Sequence, residues 1–133
     1  MNDILVPIAP GELIDKLTIL QLKSERINDP KKLAHVRHEF DVLHGVADAA
    51  LPASSNLQQL WKKLYTINAD LWVIEDDIRA FEGRGDFGAG FVALARAVYV
   101  TNDERAAIKK EINVLLGSAI VEEKSYYSPS ETA

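Results

Sequence analysis

Between Leu57 and Phe81 the apolar positions advance in alternating steps of three and four: Leu57, Leu60, Leu64, Ile67, Leu71, Ile74, Ile78 and Phe81. That spacing holds a stripe on one side of a long helix. A second row lies beside it, Trp61, Tyr65, Asn68, Trp72, Glu75 and Arg79. The resulting face is wide, apolar in its first half and polar in its second. A helix of this kind cannot leave its stripe in water, so other helices must cover it.

The rest of the chain supplies them. Residues 12–27 form a first helix, with Leu13, Leu17, Leu20 and Ile27 as its main stripe and Ile19 and Leu22 on another side. Two covered sides imply a central helix or a subunit contact. Asp29-Pro30 starts a second helix, since Asp caps free N–H groups and Pro suits the first helical position. It carries Leu33, Val36, Phe40, Leu43 and Ala47 at core spacing, and Gly45 weakens it. Ser55 with Gln58 has the pattern of a capping box for the long third helix. Gly83-Arg84-Gly85 ends that helix. A fourth helix over 91–100 follows, and Thr101 with Glu104 marks a fifth, stopping at Gly117. The lead-in Ile4-Leu5-Val6-Pro7-Ile8-Ala9-Pro10 is extended by its prolines and expected to pack on the bundle. Ala119-Ile120-Val121 is expected to dock as an extended segment. The expectation is an all-α bundle of four to five helices centred on the third, in one domain over 1–127, with 128–133 as a disordered tail.

Composition narrows the function classes. At 133 residues the chain buries a core without staples, and it has no cysteine for a disulfide or thiolate metal site. A formal net charge of −5 argues against non-specific nucleic-acid binding. Neither a secretory signal nor a run approaching the roughly 20 apolar residues of a membrane helix is visible, and with cysteine absent the expectation is a cytoplasmic protein.

Candidate chemistry gathers at two places. Asn68, Trp72, Glu75 and Arg79 project from one row where the third helix turns polar. A carboxylate on that packed side needs a partner, and Arg79 stands one turn on from Glu75 in the favourable order. Glu12, Asp15 and Lys16 share the first turn of the first helix. If that helix packs antiparallel to the third, Asp15 and Lys16 meet the polar row, and Arg96 closes the other side. Such a cluster, with Trp72 as one wall, is either a ligand site or a closed ion network. His35, His38 and His44 lie off the apolar stripe and belong to a solvated face. Trp61, Tyr65 and Trp72 are expected as core or interface anchors.

Two stretches carry a resemblance. The first is Gly11-Glu12-Leu13-Ile14-Asp15-Lys16-Leu17-Thr18-Ile19-Leu20, ending in Lys23-Ser24-Glu25-Arg26-Ile27. The second is Asn102-Asp103-Glu104-Arg105-Ala106, continuing to Ile112-Asn113, Leu116-Gly117-Ser118 and Glu122-Glu123-Lys124-Ser125-Tyr126. Together they resemble an uncharacterised bacterial family of small helical proteins, a domain of unknown function. That resemblance spans nearly the whole chain and implies no assigned activity. Ile14-Asp15 and Arg26 are also similar to the first helix of the all-helical chorismate mutases, but the basic set for a dicarboxylate is missing. Glu12-Leu13-Ile14-Asp15 is similar in spacing to the magnesium-binding acids of all-helical nucleotide pyrophosphohydrolases. This implies a divalent-metal alternative built from Glu12, Asp15 and Glu75, although the second acidic motif is absent.

The reading is therefore a non-catalytic interaction or assembly module, a homodimer with a possible protein partner, needing no cofactor and binding neither nucleic acid nor membrane. The alternative is a small-molecule or divalent-metal-dependent enzyme. Its pocket lies at the C-terminal half of the third helix, with Asp15, Lys16, Asn68, Trp72, Glu75, Arg79 and Arg96 as ligand-binding candidates.

Overall fold

The computed structural model describes residues 1–127 and contains four helices: α1 Pro10–Arg26, α2 Pro30–Ala50, α3 Ser55–Gly83 and α4 Ala89–Leu115. No strand occurs among the described residues, and the tail expected to be disordered lies outside them. No described helix is long and apolar enough to cross a membrane.

Local signals account for most of the boundaries. The Asp29 carboxylate accepts from the N–H groups of Lys31 and Lys32 and opens α2. Ser54, one residue before the expected cap, accepts from Leu57 N–H at 3.0 Å and opens α3. Gly85 and Gly117 both have φ near +65° and follow the last turns of α3 and α4. At α4 the Ser118 N–H reaches back to the Asn113 carbonyl and the Gly117 N–H to that of Val114. Those two bonds satisfy carbonyls that the helix leaves open, and glycine takes the left-handed position without a Cβ clash.

Two expectations are corrected. The fourth and fifth helices are one, because α4 runs unbroken through Thr101. The spacing Val98, Asn102, Arg105, Ile108 and Ile112 keeps one face continuous across that point, so the packing overrides a capping box. The apolar lead-in does not pack: Ile4, Leu5 and Val6 are 65–91% exposed, and burial begins at Ala9. Two prolines remove backbone donors there, and Val6 and Ile8 only border a pocket with Leu13, Val46 and Leu51.

The short α1 is the hub. It alone packs against all three other helices, whereas α2 packs on α1 and α3 on α1 and α4. This is one of the two roles implied by its two covered sides, and it corrects the expectation of a bundle centred on α3, which packs on α1 and α4 alone. One core cluster joins Ile14, Leu57, Leu64 and Ile112; another joins Leu13, Leu17 and Ala47, and Trp61 packs against both. The second row of α3 faces α1: Asn68 meets Asp15 and Thr18, Tyr65 meets Glu25, and Arg26 lies over Trp72. Apart from Tyr65–Glu25, these contacts advance in the same direction along both helices, so α1 runs parallel to α3 rather than antiparallel to it, as an up-down-up-down chain requires. The antiparallel partner of α1 is α4, where Gly11 meets Asn113 and Asp15 meets Arg105.

Lengths decide what stays uncovered. At 1.5 Å per residue, α1 spans about 25 Å, while α3 and α4 span about 43 Å and 40 Å. The α3–α4 hairpin therefore projects past α1 as a two-helix arm, residues 73–83 and 89–100. No residue of α3 beyond Leu71, and none of α4 before Ile112, is fully buried.

Candidate functional site

A buried carboxylate lies at the junction of α1, α3 and α4. Asp15 is 1% exposed. Leaving such a group unpaired away from water would cost several kcal/mol, on the order of 3–5 when one member of a buried pair is removed. Its neighbours prevent that. Arg105 of α4 grips it along one edge, Nε donating to Oδ1 at 2.9 Å and Nη2 donating to Oδ2. Asn68 of α3 donates from Nδ2 to Asp15 Oδ1 at 2.8 Å and to Thr18 Oγ1 at 2.9 Å. Thr18 donates in turn to the Asp15 carbonyl at 2.8 Å. Three helices are thus tied through one side chain.

A second set of ion pairs borders the first. Lys109 Nζ donates to Glu12 Oε2 at 2.7 Å and to Glu122 Oε2 at 3.2 Å, and stands 3.9 Å from Asp15 Oδ2. Burial pulls the Lys109 pKa down, but the Glu12 bond, the Asp15 charge and the Glu122 bond outweigh it and hold it above the ordinary lysine range. The Arg105 pKa is also raised, first by its hydrogen bond to Asp15. Both groups are cationic throughout the physiological range. The tail returns along α4 through Glu122–Lys109 and Glu123–Lys110, whereas Ile120 and Val121 stay exposed. The expected docking is therefore carried by charge rather than by the apolar residues.

One polar contact replaces a missing helix cap. Ala9, the residue before α1, has no side chain able to cap. The Gly11 N–H donates instead to Oδ1 of the buried Asn113 on α4, at 2.8 Å. The α1 terminus is thereby satisfied by a tertiary contact. Every buried side-chain nitrogen and oxygen among the described residues has a hydrogen-bond partner.

Beside this centre runs a groove of about 500 Å³, lined by Ile19, Leu71, Trp72, Asn102 and the outer side of Arg105, with Glu75, Asp76 and Arg79 further along. Of the sequence candidates, Asp15 and Asn68 are brought together by direct bonding, and Asn68, Trp72, Glu75 and Arg79 line this groove. Glu75 and Arg79 pair with each other. Lys16 is elsewhere, 3.9 Å from Glu12 on the exposed side of α1, and Arg96 is exposed on the arm, away from the groove lining. The acids of the metal alternative are dispersed: Asp15 is held by Arg105, Glu12 by Lys109 and Glu75 by Arg79. Among the described residues no three His, Asp or Glu side chains gather as a metal site would require. The three histidines are exposed, His44 lying 3.3 Å from Asp48 and stacked on Phe40.

Arg105, Lys109, Asn102, Thr18 and Asn113 are the site residues that sequence reasoning missed. Four of them lie in or beside the second stretch quoted for the family resemblance, and the fold packs that stretch directly on the first. The chain belongs to the family of unknown function DUF6165, whose model matches residues 4–133. No curated protein and no solved structure matches it. The family match spans all four helices, so the ion centre and the arm both fall inside it.

Proposed function

We propose that this DUF6165 chain is a non-catalytic interaction and assembly module of the bacterial cytoplasm, acting as a homodimer joined through its α3–α4 arm. The observation that carries this reading is the state of the arm. Its seam side chains Ile74, Ile78, Phe81, Phe91, Leu94 and Val98 are only half-buried, because no third helix lies on them. Outside the seam, Val73, Val92, Tyr99 and Val100 are each about half exposed. Two helices cannot close their own apolar seam, and exposed patches of this kind mark contacts.

A second copy is the occupant that fits. One face of the arm, about 18 Å by 20 Å, offers roughly 360 Å² per partner, the scale of a small contact, so its apolar seam rather than a large area carries the pairing. A two-fold axis makes the same patch serve both chains. Set antiparallel, the tip of one arm, with Arg84, meets the base of the other, where Asp70 and Asp77 are exposed. The ion centre supports the same reading, since its buried groups are already spent on one another and fasten α1, α3 and α4.

The test is Val73→Glu combined with Val100→Glu, both at positions that a monomer leaves near 50% exposed. Light scattering at about tens of micromolar is expected to give twice the 14.7 kDa chain mass for the natural chain and one chain mass for the variant. Helical content should be equal in the two. A natural chain that is monomeric there, or a variant that still pairs, contradicts the proposal.

A further inference from the structure

We propose that the groove beside Arg105 binds a small molecule bearing a carboxylate on an apolar or aromatic body. A guanidinium carries five N–H donors in a planar fork. Asp15 takes one edge of Arg105, through Nε and Nη2, and Asn68 and Thr18 hold Asp15 in place. The Nη1 amino group makes no hydrogen bond to a described residue, and the Arg105 side chain is 29% exposed, lining this groove and a smaller one beside Lys109 and Glu122. The Asp15 pair holds the guanidinium oriented at the groove wall, and the edge formed by Nη1 and Nη2, which Asp15 does not take, matches the two oxygens of a second carboxylate.

Two further features set the class of ligand. The half-buried Asn102 lies three residues before Arg105, on the same side of α4, and its amide is likewise unengaged among the described residues. Trp72, Leu71 and Ile19 form an apolar wall next to this polar end, and Arg26 fixes Trp72 at 5.7 Å. Such a wall suits a ring or a short hydrocarbon. Glu75 and Asp76 on the same groove, together with the Asp15 charge behind Arg105, leave no surplus positive charge. A phosphate dianion is disfavoured there, whereas a monoanion needs only the oriented donors. The site is separate from the dimer face, because Val100 lies about 200° round α4 from Asn102.

The experiment is a titration of isotope-labelled protein followed by nuclear magnetic resonance. Benzoate and indole-3-acetate are the probes, and benzamide and phenyl phosphate the comparators. Saturable shifts are expected at the Trp72 indole, the Asn102 amide and the Arg105 side chain with both carboxylates, at up to about 10 mM. Benzamide should bind at least about tenfold more weakly, since it cannot accept charge-assisted bonds at both oxygens. Asn102→Ala leaves the Asp15 pair intact and should weaken benzoate about fivefold. Arg105→Lys keeps a charge opposite Asp15 but loses the paired N–H edge, and should abolish the shifts. The proposal is overturned by any of three results: no saturable shift at these residues, benzamide binding as tightly as benzoate, or phenyl phosphate binding more tightly than both carboxylates.

Discussion

Gly11 marks a close approach of α1 to α4. A Cβ built there would stand 2.5 Å from the Lys109 carbonyl oxygen and 2.9 Å from Asn113 Oδ1. The first neighbour is backbone, so α1 would have to move away from α4, weakening the Gly11–Asn113 bond and straining the pairs at Asp15 and Glu12. Gly11→Ala should therefore destabilise by about 1–3 kcal/mol, although alanine is the better helix former. Urea unfolding measures this directly; a neutral or stabilising result would mean that α1 and α4 are further apart. In the sequence Gly11 has no role beyond preceding the first helix, because nothing local indicates which helix will lie across it. Asn68 was legible as a polar residue on a packed side, whereas Asp15 was brought to it only by an antiparallel packing of α1 on α3 that the fold does not adopt. Arg105 was not, because in the run Asn102-Asp103-Glu104-Arg105 its charge reads as helix-terminus chemistry. Only the packing of α4 antiparallel to α1 makes it the partner of Asp15.

At the scale of elements, periodicity and caps located α1, α2 and α3 to within a few residues, since each has a stripe and a start signal of its own. They failed at Thr101, where the capping-box pattern sits inside a helix. A cap matters only where N–H groups are free, and within α4 the preceding turn already accepts them. This gives a paired expectation for urea unfolding. Ser54→Ala, which removes a working cap, should cost about 1 kcal/mol. Thr101→Ala should cost less than about 0.5 kcal/mol, since alanine has the higher helix propensity and no cap is lost. Equal costs would indicate a break in α4 at that point.

For the whole molecule, the governing fact is the mismatch between a short hub helix and a long hairpin. The sequence carried the lengths of α1 and α3 but split α4 in two, and it did not carry the register that leaves one end of the hairpin uncovered, because register depends on the side chains of three helices meeting at once. The ion centre fastens the covered end, and the arm presents its open seam at the other. Completion of that seam by a second chain is the central claim, and amide hydrogen exchange at two protein concentrations tests it most directly. Between about 1 µM and 100 µM, spanning the range of ordinary dimer affinities, protection of residues 73–83 and 89–100 should rise, while that of α1 and α2 stays constant. Arm protection that does not change with concentration would contradict the account.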